Sequence, residues 1–436
     1  MRVSGRVVAV LASLFVVLWG NVSPLSAGDW QEFRGPGGRG IVEAGGYPST
    51  WSKETNIKWS VPLPDAGNSS PIVSKGRVFV TCATDSGRQR SLHCFNRQTG
   101  ATLWVRTVEF AAQEETHSTN PHCAPTPVTD GERVVVWHGS AGIFCYDFAG
   151  ELLWKRDLGL FHHVWGYASS PILHEGKVLQ LCGPGERQFL CALDLKTGET
   201  LWQHDEPGGS ASKSGRYIGS WATPTIITVD GKPQVLCGLP TRVAAFDPSS
   251  GKLLWYCSGV SSDRSDLMYT SPLIGDNFAV AMGGYTGPAM GFELGGNGDV
   301  TASNRKWHDG DKPNNPQRIG SGVIVGDVLF MANANDQGSI ECKEVKTGKT
   351  LWTVRRTADG PHWGSTIFAD GRLYAAGQAG VIRVFAPNRE AYEEIAVNDF
   401  GEQMHATPAF SDGEIFVRTY KHLYCIANQD PAPPNQ

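Results

Sequence analysis

What this 436-residue sequence lacks narrows it quickly. No segment of useful length carries the 3.6-residue apolar period of an amphipathic helix, which excludes a helical bundle. Lys and Arg never gather into runs and the formal charge is −5, so nucleic acid and anionic membrane surfaces are not expected partners. No G-x-S-x-G, zincin motif or P-loop occurs, which removes the common signatures of serine hydrolases, zinc proteases and NTPases. GPGGRG at residues 35–40 matches G-x-G-x-x-G in form, but it follows no strand pattern and opens no helix, so it is not a dinucleotide fingerprint. The ten cysteines include no C-x-x-C, against haem attachment and a zinc ribbon. His117 with His122, and His162 with His163, have no carboxylate or thiol at ligand spacing, so no metal site is expected. NANDQGSIE from Asn333 carries amides where a calcium loop needs carboxylates, and it reads as a hairpin turn.

A membrane-spanning run is missing too. The apolar stretch from Val7 to Trp19 is too short to span a bilayer comfortably. Behind Arg2 and Arg6, and ahead of the small residues Ser26 and Ala27, it reads as a signal peptide over residues 1–27. Its removal would take the formal charge from −5 to −7 and leave a periplasmic or secreted protein without a membrane anchor.

What is present is repetition. Leu-Trp after a Thr-Gly turn recurs in NRQTGATLW to Trp104, LDLKTGETLW to Trp202, FDPSSGKLLW to Trp255 and KEVKTGKTLW to Trp352, with a shortened copy, YDFAGELLW, to Trp154. The spacings are 50, 48 and 53 residues, then 97, so a degenerate copy falls in the last interval, near Trp307. One unit of this size cannot bury its own apolar face and must stack on its neighbours. Each unit opens with a small-residue/Pro start, a β-branched run, a Gly turn and a second apolar run, as in SSPIVSKGRVFV from Ser69; there are eight such fronts. Apolar alternation broken by Gly turns predicts antiparallel hairpins, and four strands per unit predict propeller blades. The fold expected is all-β, an eight-bladed β-propeller of four-stranded antiparallel blades.

The last front, from Ala406, is followed by too little chain for a fourth strand, whereas NIKWSVPL with Trp59 has no front of its own. The ring is therefore expected to close by pairing the N-terminal strand with the C-terminal blade, which protects sheet edges. The predicted layout is an N-terminal extension over 28–55, the propeller over 56–428 and a Pro-rich tail over 429–436. Trp59, Trp104, Trp154, Trp202, Trp255 and Trp352 are expected to wedge between blades, each indole N–H finding a carbonyl. Cys94, Cys145, Cys191, Cys342 and Cys425 fall on third strands and read as core thiols; Cys82 with Cys94, and Cys182 with Cys191, are near enough in pattern to bridge instead.

The repeat D-x-x-T-G-x-x-x-W resembles the tryptophan-docking motif of pyrroloquinoline-quinone (PQQ)-type propellers over essentially the whole mature chain. The opening WQEFRGPGGRGIVEAGGYPSTWSKETNIKW also resembles a group of exported PQQ-like repeat proteins labelled by similarity to BamB. The resemblance implies the propeller fold but spans quinoprotein dehydrogenases, sensors and scaffolds, so it does not transfer an activity. BamB-type anchoring uses a cysteine directly after the leader, and the first cysteine here is Cys82. Quinoprotein alcohol dehydrogenases carry a vicinal Cys-Cys pair, which this sequence lacks.

Residues just before each first strand are the candidate site, because in a propeller those loops open on one face of the channel. Reading back from the Pro positions gives Asn68, His122, Tyr167, Trp221, Tyr269, His362, Trp363 and His405, with Trp165 slightly further back. Converging aromatic and imidazole rings suit a planar, polar or sugar-like ligand. The expected function is an exported, monomeric, non-catalytic propeller that binds a partner protein or a small ligand at this funnel, with no cofactor and no catalytic residue. The alternative is a PQQ- and calcium-dependent oxidoreductase acting on an alcohol or sugar.

Overall fold

The computed structural model describes residues 28–42, 45–209, 216–310, 312, 315–335 and 338–429. The signal peptide expected over 1–27 and nearly all of the tail lie outside them. Eight antiparallel sheets form the ring. In the first, Ile72–Ser74, Arg77–Thr84, Gln89–Asn96 and Thr102–Glu109 lie side by side in sequence order, innermost to outermost. The next six blades span residues 128–156, 172–207, 225–258, 273–308, 323–355 and 367–399. The eighth takes Ala409–Ser411, Glu414–Arg418 and His422–Ala427 from the C-terminal end and Ile57–Pro62 from the N-terminal end, with Trp59 opposite Cys425. The expected closure is what the chain does.

Both faces of a blade are covered by neighbours, so the middle strands are apolar throughout rather than alternating. In Arg77–Thr84 the six central residues are all buried. Ile72, Phe79, Leu92 and Cys94 of the first blade share one core with Val134, Val136, Phe144 and Tyr146 of the second. Each such large apolar side chain contributes about 1.5–3 kcal/mol when fully buried. All ten cysteines are buried free thiols, including the two pairs that the sequence left open to bridging.

The outer strands show why Leu-Trp repeats. In the first blade Cys94 pairs with Trp104 but Phe95 pairs with Thr102, so Leu103 is the extra residue of a β-bulge and stands 45% exposed. The bulge turns the tryptophan inward, onto the next blade. The indole N–H groups of Trp59, Trp104, Trp154, Trp202, Trp307 and Trp352 donate to the carbonyls of Arg97, Phe148, Leu195, Pro248, Val345 and Asn388, at 2.8 to 3.1 Å. A Cβ on the turn glycines Gly100, Gly150, Gly198, Gly251 or Gly348 would come within 2.4 to 2.8 Å of the ring before it. Trp255 departs from this rule. It packs on Phe292 of the next blade, but its N–H bonds Gln234 of its own blade at 2.8 Å. The turn it would have reached is replaced by an inserted strand, Gly298–Asp299, which pairs with Leu253–Ser258.

The N-terminal segment enters the channel. Trp30 exchanges backbone bonds with Val73 at 2.8 Å, Gln31 accepts from the Thr129 amide at 3.0 Å, and Gly40 accepts from that of Phe368 at 2.8 Å. Ile41–Val42 then pairs in parallel with the innermost strand Ile367–Ala369. The buried Arg34 reaches across to the Gly322 carbonyl. Inner strands of several blades are thus tied together by one segment. Among the described residues no helix is long and apolar enough to cross a membrane.

Candidate functional site

One serine or threonine stands just ahead of each innermost strand, and together they make a closed ring. Ser70, Thr126, Ser170, Thr223, Ser271, Ser321, Ser365 and Thr407 each present a backbone N–H to the hydroxyl oxygen of the next, and Thr407 returns to Ser70, at 2.9 to 3.2 Å. The ring holds eight loop starts at one level around the channel. Because each oxygen already accepts an amide, its own proton is the part left to donate.

Two residues before each hydroxyl come Asn68, Ala124, Ala168, Trp221, Tyr269, Ile319, Trp363 and His405, and all of them line one cavity of about 340 Å³. Extended chain alternates sides, so residues two apart face the same way. The structure therefore brings Asn68, Trp221, Tyr269, Trp363 and His405 of the predicted set together, and Trp165 joins them from the loop before the third blade. Seven ring hydroxyls, all but that of Thr126, border the same cavity, and Phe33 of the N-terminal segment lines it as well.

The remaining three predicted residues lie elsewhere. Tyr167 and His362 fall three residues before their ring hydroxyls, an odd step that turns them between blades. Tyr167 is buried, with its hydroxyl 2.6 Å from Arg90 Nη1, in a network where Arg90 meets Glu114 at 2.5 Å. Arg90 and Glu114 are both buried, and breaking one partner of such a pair typically costs about 3–5 kcal/mol. His362 is wholly buried, with Nδ1 3.2 Å from the Ala376 carbonyl and its ring beside Asp359, which Arg383 clamps at 2.6 and 2.7 Å. Burial, ahead of the opposing Asp359 charge, pushes the His362 pKa down. His122 sits in the turn before the second blade, and its Nε2 is 3.0 Å from the Glu114 carbonyl.

The cavity walls differ in kind. On one side Trp165 has Tyr217, Tyr285, Trp221 and Tyr269 around it, with ring centroids 4.5 to 6.4 Å away. Across the ring, Trp363 stacks flat on His405, centroids 4.6 Å apart and 14° between planes. His405 Nδ1 lies 2.7 Å from the Tyr420 hydroxyl and 3.1 Å from the Thr119 carbonyl. The same carbonyl accepts from Asn68 Nδ2 at 2.8 Å. Burial pushes the His405 pKa down to about 4, so the ring is neutral near pH 7. No Lys, Arg, Asp or Glu lines the cavity among the described residues. Nor do three or more His, Cys, Asp or Glu side chains gather there as a metal site would require.

Reading the sequence missed the hydroxyl ring, Thr119, Tyr217 and Tyr285. For the ring the signal was present: every front begins with a small residue beside its Pro or Gly. The other three lie on loops of unequal length that no repeat aligns.

Comparison with known proteins comes down on the same architecture. The sequence profile of the family described as outer membrane protein assembly factor BamB matches residues 88–354. BamB from Moraxella catarrhalis superposes with a TM-score of 0.56 at 14% identity, over 86% of this chain and 98% of that one. Quinohemoprotein alcohol dehydrogenase from Comamonas testosteroni gives 0.65 at 13% identity, over 93% and 82%. The computationally designed Ika8 protein gives 0.55 at 12%, over 86% and 99%. A search of curated proteins finds no match. Identities this low carry the fold alone.

Proposed function

The chain belongs to the BamB family of PQQ-like β-propellers, and from that premise we propose that it is a non-catalytic binding protein whose ligand, a small molecule or a side chain of a partner protein, sits in the aromatic funnel. The observation that carries this is the convergence of Asn68, Trp221, Tyr269, Trp363 and His405, from five different blades, on one uncharged cavity. Rigid aromatic platforms with a few polar groups are what a binding pocket needs. An exported location, periplasmic or secreted, is part of the same reading.

The oxidoreductase alternative fits these residues poorly. PQQ carries three carboxylates, and calcium at such a site needs a protein carboxylate. The lining offers neither cation nor carboxylate among the described residues. Two measurements test the proposal together. Dye-linked oxidation of alcohols and aldoses, with PQQ and calcium supplied, should stay at background; ligand-observed NMR with neutral aromatic and polyol fragments should give hits that Trp363→Ala loses. Turnover requiring both additions would replace the binding reading.

A further inference from the structure

The polar groups of the funnel include two that no described residue satisfies. Asn68 Oδ1 and His405 Nε2 are buried with no hydrogen-bond partner among the described residues, and both side chains line the cavity. They belong to adjacent blades and are pinned by one carbonyl, that of Thr119. An unmet buried polar atom typically costs about 1–3 kcal/mol. The pair therefore favours a ligand that brings hydrogen-bonding groups to them.

We propose that the funnel is a carbohydrate site for neutral glycans, in which a pyranose lies between the Trp165 cluster and Trp363, with Asn68 and His405 binding its hydroxyls. The proposal rests on the binding reading above and names the ligand class. Three features select a neutral sugar over other small molecules. Aromatic rings match the C–H face of a pyranose, and the funnel is lined by them on both walls: Trp165 and Trp221 come from the third and fourth of eight blades, Trp363 and His405 from the seventh and eighth, diametrically across. A sugar hydroxyl both donates and accepts, so it can meet the Asn68 oxygen, the His405 nitrogen and the protons of the hydroxyl ring together. An apolar aromatic ligand would leave those groups unmet. An acidic or basic one would enter a cavity with no counter-charge among its described lining residues, which is costly.

The whole chain should be tested on an array of immobilised neutral oligosaccharides and their uronic-acid counterparts, with hits measured by calorimetry. At least one neutral glycan should bind saturably, and its uronate should bind at least tenfold more weakly. Asn68→Ala and His405→Gln should each lower affinity about tenfold, the effect of losing one hydrogen bond of roughly 1.4 kcal/mol. Their melting temperatures, read alongside, separate lost binding from lost folding. The surface variant Lys349→Ala should bind as the parent does. Absence of neutral-glycan binding, or preference for uronates, overturns the proposal. If N-acetyltryptophanamide then binds in a Trp363-dependent manner, the funnel remains a binding site and only the carbohydrate assignment fails; if it does not bind either, both fail.

Discussion

Four histidines are buried, and burial pushes the pKa values of His138, His163 and His405 down to about 3, about 4 and about 4, and that of His362 down as well. In each case the folded value lies below the ordinary 6.5, so the unfolded chain takes up a proton that the native state refuses. Stability is whole above pH 6.5 and falls as pH drops toward the folded values, by about 1.4 kcal/mol per pH unit for each histidine. Glu32 acts oppositely: burial raises it to about 7, so the native state keeps a proton that the unfolded chain has lost, and acidification from 7 to 4.5 favours folding. One carboxyl against four imidazoles leaves a net loss. The urea midpoint should therefore fall between pH 6.5 and pH 4.5, with a shallower slope in His405→Gln; a flat profile would mean that these rings are not held neutral. At this scale the sequence was legible only to within a residue. The residue two before each strand-leading hydroxyl reaches the funnel, as Trp221 and Trp363 do, whereas Tyr167 and His362, three before, turn between blades and His122, four before, sits in the turn against the Glu114 carbonyl. That single-residue register depends on where extended backbone begins, which the repeat alone does not state.

Between blades the unit of cohesion is a tryptophan seated on the glycine of the next turn. The sequence disclosed it plainly because five turns keep the glycine and six keep the indole-to-carbonyl bond. It did not disclose the exception at Trp255, where the inserted segment around Gly298–Asp299 has no counterpart in other blades. Two glycines of the third blade separate docking from backbone strain. Gly198 has φ +70° and its added Cβ would meet the Trp154 ring at 2.6 Å; Gly176 has φ +75° and nothing within 4 Å. Alanine at either must bear a left-handed conformation, roughly 1–2 kcal/mol. At Gly198 overpacking adds about 1–3 kcal/mol more. Gly198→Ala should accordingly unfold at lower urea than Gly176→Ala, with similar slopes. Equal midpoints would show that the indole does not depend on that close approach.

At the scale of the whole ring, the N-terminal portion has two jobs that the sequence revealed unequally. Closure was readable, because Trp59 and its strand had no front of their own and the last blade had no fourth strand. The channel segment was not readable: residues 28–42 have no repeat, and the glycine-rich stretch that failed as a dinucleotide fingerprint is a set of tight turns, Gly35, Gly37, Gly38 and Gly40 having φ +70°, +67°, +66° and +71°. The segment is tied to inner strands by backbone bonds, and its side-chain contacts, Trp30 on Phe410 and Arg34 on the Gly322 carbonyl, follow no apolar period that could be detected. The two jobs should separate on truncation. Deleting residues 28–42 removes Arg34 and Phe33 but keeps Ile57–Pro62, so the ring still closes, and the product should be soluble with a lowered melting temperature. Deleting residues 28–63 also removes the strand that pairs with His422–Ala427, exposing the edge of the eighth blade and uncovering Phe416, on which Trp59 packs at 5.9 Å. An open, apolar edge of that kind invites association, and this product should aggregate or lose its cooperative transition. Light scattering and calorimetry on the two truncations decide the matter: a soluble product of the longer deletion with an unchanged transition would mean that the paired termini are not what holds the ring shut.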